Sequence, residues 1–256
     1  EYIIWKRLSK ESANPAKKVY LKLLSNQLKK YELDVLKNID GIATMSEKDK
    51  DKYIELKCPV PVKNIPFGID TSKYKIIKKD NKNLKFFHIG AMDWKPNLEA
   101  ISWLLNDIWP KILEQIPNAE LHLAGKNMPD WIFNKDFKNV FNHKEIEDAS
   151  TFITNNDIML VPLLSAGGIR VKIIEGMAYG KTIVSTTIGA EGLKYDNLKN
   201  IIIADSPEEF SEAALKLYKN SYNKNEIGQN AREHVVKSYD YKKISKKLVS
   251  FFDSIQ

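Results

Sequence analysis

Between residues 84 and 220 the chain alternates between two hydrophobic periods, and this narrows its fold more than any other feature. Apolar runs at 84–90 (LKFFHIG), 119–125 (AELHLAG), 157–163 (DIMLVPL), 182–188 (TIVSTTI) and 200–205 (NIIIAD) read as strands, with a shorter one at 139–145 (NVFNHKE). Segments with helical spacing lie between them. Residues 97–116 put Leu98, Ile101, Leu104 and Leu105 on one face, and Pro110 interrupts the helix. Two further helices are expected at 146–155 and 170–180. A last one at 206–220 opens with Ser206 as N-cap, Pro207 in the first helical position and Glu209 at the capping-box position. Strands that alternate with helices in this way build a parallel sheet covered on both faces. The expected fold class is α/β, a Rossmann-like doubly wound parallel sheet.

The first 70 residues follow another pattern. Residues 16–37 place Val19, Leu23, Leu24 and Leu28 at helical spacing. A short strand is expected at 39–46 (IDGIATMS). Ser46 then caps a helix, with Asp49 three residues on as the acidic partner. Another short strand lies within 60–70 (VPVKNIPFGID). The polar run 71–83 (TSKYKIIKKDNKN) has no periodicity and reads as a linker or domain boundary. The expected organisation is a small α/β part at 1–70, a Rossmann-like domain at 71–239, and a final helix at 240–256 that folds back towards the first part.

Composition excludes several classes. A hydrophobic fraction of 43% suits a packed globular protein. Cys58 is the only cysteine, which rules out an internal disulfide and a multi-cysteine zinc site and fits a reducing cytoplasm. No apolar run approaches the roughly 20 residues of a spanning helix, and no signal peptide is visible. The chain does not begin with Met and reads as a piece of a longer protein. A net charge of +7 points to an anionic partner (nucleic acid, an acidic membrane surface or a phosphorylated small molecule) or simply reflects the Lys- and Asn-rich composition of an AT-rich genome. The lysines are scattered and form no basic stripe interleaved with aromatics, which argues against nucleic acid.

The chemistry concentrates at 165–186 (SAGGIRVKIIEGMAYGKTIVST). A helix N-terminus offers unpaired amides and partial positive charge. Gly167 and Gly168 leave those amides open, Ile169 continues the turn, and Arg170 and Lys172 add two cations. Such a place suits a phosphate or diphosphate. The alternative is an ordinary tight turn with a solvated arginine. Glu175 lies seven residues beyond Gly168, on the same helical face, where a carboxylate accepts bonds from two ribose hydroxyls. The alternative is an i,i+3 ion pair with Lys172. Gly90 ends the first strand, Asp93 or Asn97 is placed to cap the next helix, and Lys95 is placed to reach a phosphate or is a solvated loop lysine. Glu191, in the small-residue loop GAEGL, faces the same edge or is a plain turn residue.

Taken together, IGAMDWKPNLEAISWL, IPNAELHLAG, DIMLVPLLSAGGIRVKIIEGMAYGKTIVSTTIGAEGL and VKNIPFGIDTSKY resemble the nucleotide-sugar-binding half of the family-4 (group 1) retaining glycosyltransferases with the GT-B fold. The resemblance spans about residues 40–220. It implies a donor domain whose glycine-started helix presents amides to the donor and whose glutamate, matched by Glu175, holds the ribose. A second glutamate, eight residues earlier in many members, is replaced here by Gly167. A basic pair on the diphosphate is matched by Lys95 with Arg170 or Lys172. Base contacts fall around 141–145, with Asn142 and His143. The resemblance further implies a metal-independent hexosyltransferase-type enzyme without cofactor, in the cytoplasm or peripherally on the inner membrane face, serving bacterial surface polysaccharide or glycoconjugate synthesis. Its partners are a nucleotide-sugar donor, a sugar or lipid-linked acceptor, and the missing bulk of an N-terminal domain, of which residues 1–70 resemble the end. Two other readings compete: a GT-B-fold sugar epimerase, and a non-catalytic α/β nucleotide-binding or interaction module.

Overall fold

Local signals start most of the elements seen in the computed structural model, which describes residues 2–77, 83–165 and 167–255. The chain divides into two compact units, Glu1–Pro66 with Lys247–Gln256, and Phe67–Lys246.

In the first unit, helices α1 (Tyr2–Glu11) and α2 (Pro15–Val35) form a hairpin. The Asn14 side chain accepts from the Lys17 amide, and Pro15 takes the first helical turn. Ser25 Oγ donates to the Tyr2 carbonyl at 2.9 Å, and Leu21 is buried beside it. Val19 and Leu23, which share the helical spacing, are 60% and 58% exposed. This helix carries apolar residues on two faces, and α1 covers the face of Leu21 and Ser25. Strand β1 (Ile42–Thr44), helix α3 (Glu47–Glu55) and strand β2 (Val62–Asn64) follow, with β1 and β2 parallel. Ser46 caps α3 by accepting from the Asp49 amide, as its sequence predicts. Phe251 packs on Gly41 so closely that a Cβ there would lie 2.9 Å from the ring.

The second unit runs β3 (Lys85–Ile89), α4 (Lys95–Trp103), α5 (Trp109–Gln115), β4 (Glu120–Ala124), α6 (Trp131–Asn134), β5 (Val140–Asn142), α7 (Ala149–Asn155), β6 (Ile158–Val161), α8 (Val171–Ala178), β7 (Thr182–Ser185), β8 (Ile202–Ile203), α9 (Pro207–Tyr218) and α10 (Lys224–Ser238). Helix α11 (Tyr241–Asp253) closes the chain. The sheet order is β5-β4-β3-β6-β7-β8, with every pair parallel. Numbered from its own first strand this is 3-2-1-4-5-6, the doubly wound order. Alternation along β3 divides two cores. Phe86 packs with Ile101, Leu104, Trp109 and Phe210 on one face, and Phe87 with Phe152, Ile173, Ile174 and Met177 on the other.

One sequence expectation is met here and two change. The helix at 97–116 is interrupted before Pro110 as expected, by one π-helical stretch at Leu104–Ile108. Pro110 has no amide to donate back along the helix, and the wider turn absorbs the missing bond. The run 71–83 is not a free linker over its described part. Thr71–Lys73 form a 3₁₀ turn, Tyr74 stacks edge-on against Tyr179 at 4.9 Å, and Ile76 packs over Gly180. Its residues 78–82 lie outside the described residues. The change of unit falls at Pro66, four residues before the expected boundary at 70, because Ile69 pairs with the chain after α10: its amide donates to Tyr239, and its carbonyl accepts from Tyr241.

Candidate functional site

The strand order reverses between β3 and β6, so the loops leaving their carboxyl ends diverge and open a crevice. Three pieces of chain border it: the turn after β3, the loop from β6 into α8, and the first two turns of α8.

The turn after β3 rests on a close approach. The Gly90 amide donates to the Ala124 carbonyl at 3.1 Å, and a Cβ on Gly125 would lie 1.8 Å from the Gly90 oxygen. Only glycine at 125 lets the two strand ends converge this tightly. Asn97, near the start of α4, donates from Nδ2 to the Ala91 carbonyl at 2.8 Å. Lys95 lies outside this inner turn. Its side chain is 84% exposed and its ammonium pairs with Glu99 at 3.4 Å, and Glu99 also accepts from Ser165 Oγ at 2.9 Å. Lys95 therefore stands at the rim of the β6–α8 loop.

That loop turns at Gly168, whose φ of +79° belongs to the left-handed region and whose missing Cβ would meet open space. Ile169 anchors the loop on the Phe87 core. Helix α8 begins at Val171, one residue later than the sequence suggests, with Arg170 as its extended N-cap residue. Arg170 is buried, and its guanidinium turns back on the loop. Nη1 donates to the carbonyls of Gly167 (2.7 Å) and Gly168, and Nη2 to Ile188 at 3.3 Å. It ties these carbonyls to a buried side chain. Among the described residues the Val171 and Lys172 amides have no protein acceptor. Burial lowers the Arg170 pKa, and the Glu191 carboxylate opposes that shift.

Lys172 and Glu175, the two charges on this apolar helix, do not pair with each other among the described residues. Lys172 Nζ runs under the Gly90 turn and donates to Asn97 Oδ1 at 2.9 Å and the Ile89 carbonyl at 3.2 Å. It also approaches His88 Nε2 at 3.4 Å. His88 is fully buried and donates from Nδ1 to the Leu160 carbonyl at 2.8 Å, so Nε2 presents its lone pair to Lys172. Burial, then the Lys172 charge, holds His88 well below the usual histidine range. Glu175 accepts from the Tyr74 hydroxyl at 3.2 Å. Burial, then the Glu175 charge, pushes the Tyr74 pKa up to about 12. One carboxylate oxygen is thus oriented by Tyr74, and acceptor capacity remains for further hydroxyls.

Asn142 and His143 lie at the end of β5, two strands from β3. Asn142 Nδ2 donates to Ile132, and its Oδ1 is buried without a partner. The His143 ring is engaged with His122, Nε2 to Nδ1 at 2.9 Å, and edge-on with Phe152. Sequence reading missed Tyr74, His88, Asn97 as a side-chain ligand, and Gly125. A lone tyrosine in a polar run and a histidine within a strand carry no motif. Gly125, closing the strand at 119–125, was the one visible signal.

Residues 83–220 match the family described as glycosyl transferases group 1. The chain belongs to this family. Two curated relatives of this group 1 glycosyltransferase chain are an uncharacterised 44.6 kDa protein of the cps region of Klebsiella pneumoniae and an uncharacterised glycosyltransferase of Methanocaldococcus jannaschii. The first is 25% identical over 95% of this chain and 64% of its own length. The second is 24% identical over 86% and 60%. The chain thus spans less than two thirds of either relative. Among solved structures, TarM superposes with a TM-score of 0.74 at 17% identity, over 88% of this chain and 45% of TarM. HepE of Anabaena, solved in complex with UDP, gives 0.69 at 14%, over 84% and 64%. Sucrose-phosphate synthase of Thermosynechococcus elongatus gives 0.72 at 15%, over 98% and 66%. At these identities the likeness establishes the fold, the Rossmann-like half of a GT-B glycosyltransferase.

Proposed function

We propose that this chain is the donor-binding half of a retaining, nucleotide-sugar-dependent glycosyltransferase that serves bacterial surface polysaccharide synthesis. The observation that carries the reading is the β6–α8 loop. Its carbonyls are tied to Arg170, its first-turn amides are left open, and Glu175 is fixed one turn further along by Tyr74. Amides arranged in this way meet a diphosphate, and the carboxylate meets the ribose. In glycosyl transfer the leaving group is the nucleoside diphosphate, and the sugar passes through an oxocarbenium-like state. Donors fixed in advance on the leaving oxygens stabilise that charge without reorganisation.

In this reading Arg170 shapes the amide loop and does not itself grip the phosphate, while Lys95 at the rim supplies the accessible cation. No metal or cofactor takes part. The complex of HepE with UDP and the cps-region relative support a nucleotide-sugar donor and a surface-polysaccharide setting. The acceptor is a sugar or lipid-linked sugar, met by the rest of the full-length enzyme. No helix among the described residues is long and apolar enough to cross a membrane, and any membrane contact is peripheral in this reading.

Calorimetry with UDP, GDP, ADP and their nucleosides tests the site. The expected result is that one diphosphate binds and its nucleoside binds at least tenfold more weakly. Equal binding of nucleoside and diphosphate would overturn the phosphate role of the loop.

A further inference from the structure

The Lys172 side chain is partly buried beneath the Gly90 turn, and among the described residues no carboxylate compensates its ammonium. Its partners are the Ile89 carbonyl, the Asn97 amide oxygen and the His88 ring nitrogen, all uncharged. Dipoles return only part of the hydration that a cation held against them loses. Desolvation, reinforced by the positive Arg170, pulls the Lys172 pKa down to about 7. The titratable groups facing it are His88 from β3 and Arg170 from the loop before α8. Helix α4 presents the uncharged Asn97, and its Glu99 is turned to Lys95 and Ser165. Glu175, on the same helix, is bonded to Tyr74.

The missing countercharge has an approach. Gly90 is partly exposed, and a Cβ on it would stand 3.1 Å from Lys172 Nζ. An anion lying on this bare backbone and on the open amides of α8 therefore comes within direct electrostatic reach of the amine.

We propose that Lys172 is a counter-cation beneath the Gly90 turn that takes up a proton from solvent when a diphosphate settles on the glycine loop, and that His88 and Asn97 are the positioning residues that hold its amine there. This rests on the donor-site reading above. The sign follows from linkage. Ligand binding raises the Lys172 pKa, so affinity is highest below the free-protein value and falls as pH rises from there to the bound value.

The test uses UDP-glucose, GDP-mannose and ADP-glucose on this chain, carrying forward whichever binds most tightly. Their diphosphate diesters do not titrate near neutrality, unlike a terminal phosphate with its pKa of about 6. The expected affinity is roughly tenfold weaker at pH 8 than at pH 6. Calorimetry at pH 7.5 in buffers of different ionisation enthalpy should show uptake of roughly half a proton or more per ligand. Lys172→Met and Lys172→Arg should lose both effects. Asn97→Asp should flatten the pH dependence too, because a carboxylate at that position keeps the amine charged before ligand arrives. If Lys172→Met fails to fold, Lys172→Arg and Asn97→Asp decide. Tight binding by the parent with no pH dependence and no proton uptake overturns the inference and leaves the donor site standing, as does a parent-like slope in the Lys172 variants. No binding of any nucleotide sugar at any pH overturns the donor-site reading, and this inference with it.

Discussion

Glu175 and Lys172 are three residues apart on one helix and serve different partners, and this makes their roles separable. Glu175→Gln keeps shape and loses charge. A charge-assisted hydrogen bond is worth roughly 1.5–3 kcal/mol, so nucleotide affinity should fall by about one to two powers of ten with little change in melting temperature. Tyr74→Phe should do less, up to about tenfold, because it only frees the carboxylate to turn. Parent-like affinity in Glu175→Gln, measured by calorimetry, removes the ribose role. Gly168→Ala tests the loop itself. Its φ of +79° costs an L-residue roughly 1–2 kcal/mol, and no neighbour stands in the way. The melting temperature should drop by a few degrees, and nucleotide affinity should fall further than stability alone explains.

At the level of elements, the site is a junction of β3, β4, α4 and α8, and two glycines at that junction should respond unequally. A Cβ at Gly90 would meet the ends of Asn97 and Lys172, at 2.9 and 3.1 Å, which are side chains able to move. Gly90→Ala should therefore fold and bind nucleotide more weakly. A Cβ at Gly125 would meet the Gly90 backbone oxygen at 1.8 Å. Gly125→Ala should cost at least the upper end of the roughly 1–3 kcal/mol typical of overpacking, since two strands must part. Urea unfolding of both variants compares them, and equal stability would contradict the close approach. The caps are a quieter case: Ser206→Ala breaks the capping box with Glu209 and should cost about 1 kcal/mol without touching the site.

For the molecule as a whole, the present chain should bind a nucleotide sugar without transferring the sugar to an acceptor, since transfer needs surfaces from both sides of a GT-B cleft. Product formation by this chain with a defined acceptor, followed by mass spectrometry, would contradict that division of labour. The order of strands and helices is legible in the amino-acid sequence, because a strand buried on both faces and a one-faced helix leave different hydrophobic periods. The Ser46 and Ser206 caps are legible too, because capping is a contact between residues three apart. The glycine loop and Glu175 stand out because they contradict their apolar surroundings. What the sequence does not disclose depends on contacts between residues distant along the chain. The face that α2 buries is set by α1. The end of the first unit at Pro66 is set by the pairing of Ile69 with the chain after α10. The destination of each charge is set the same way: Arg170 turns onto its own loop, Lys172 reaches Asn97 75 positions away, and Glu175 reaches Tyr74 across 101. Periodicity records which way a residue points from its own element; only packing brings the second element that it meets.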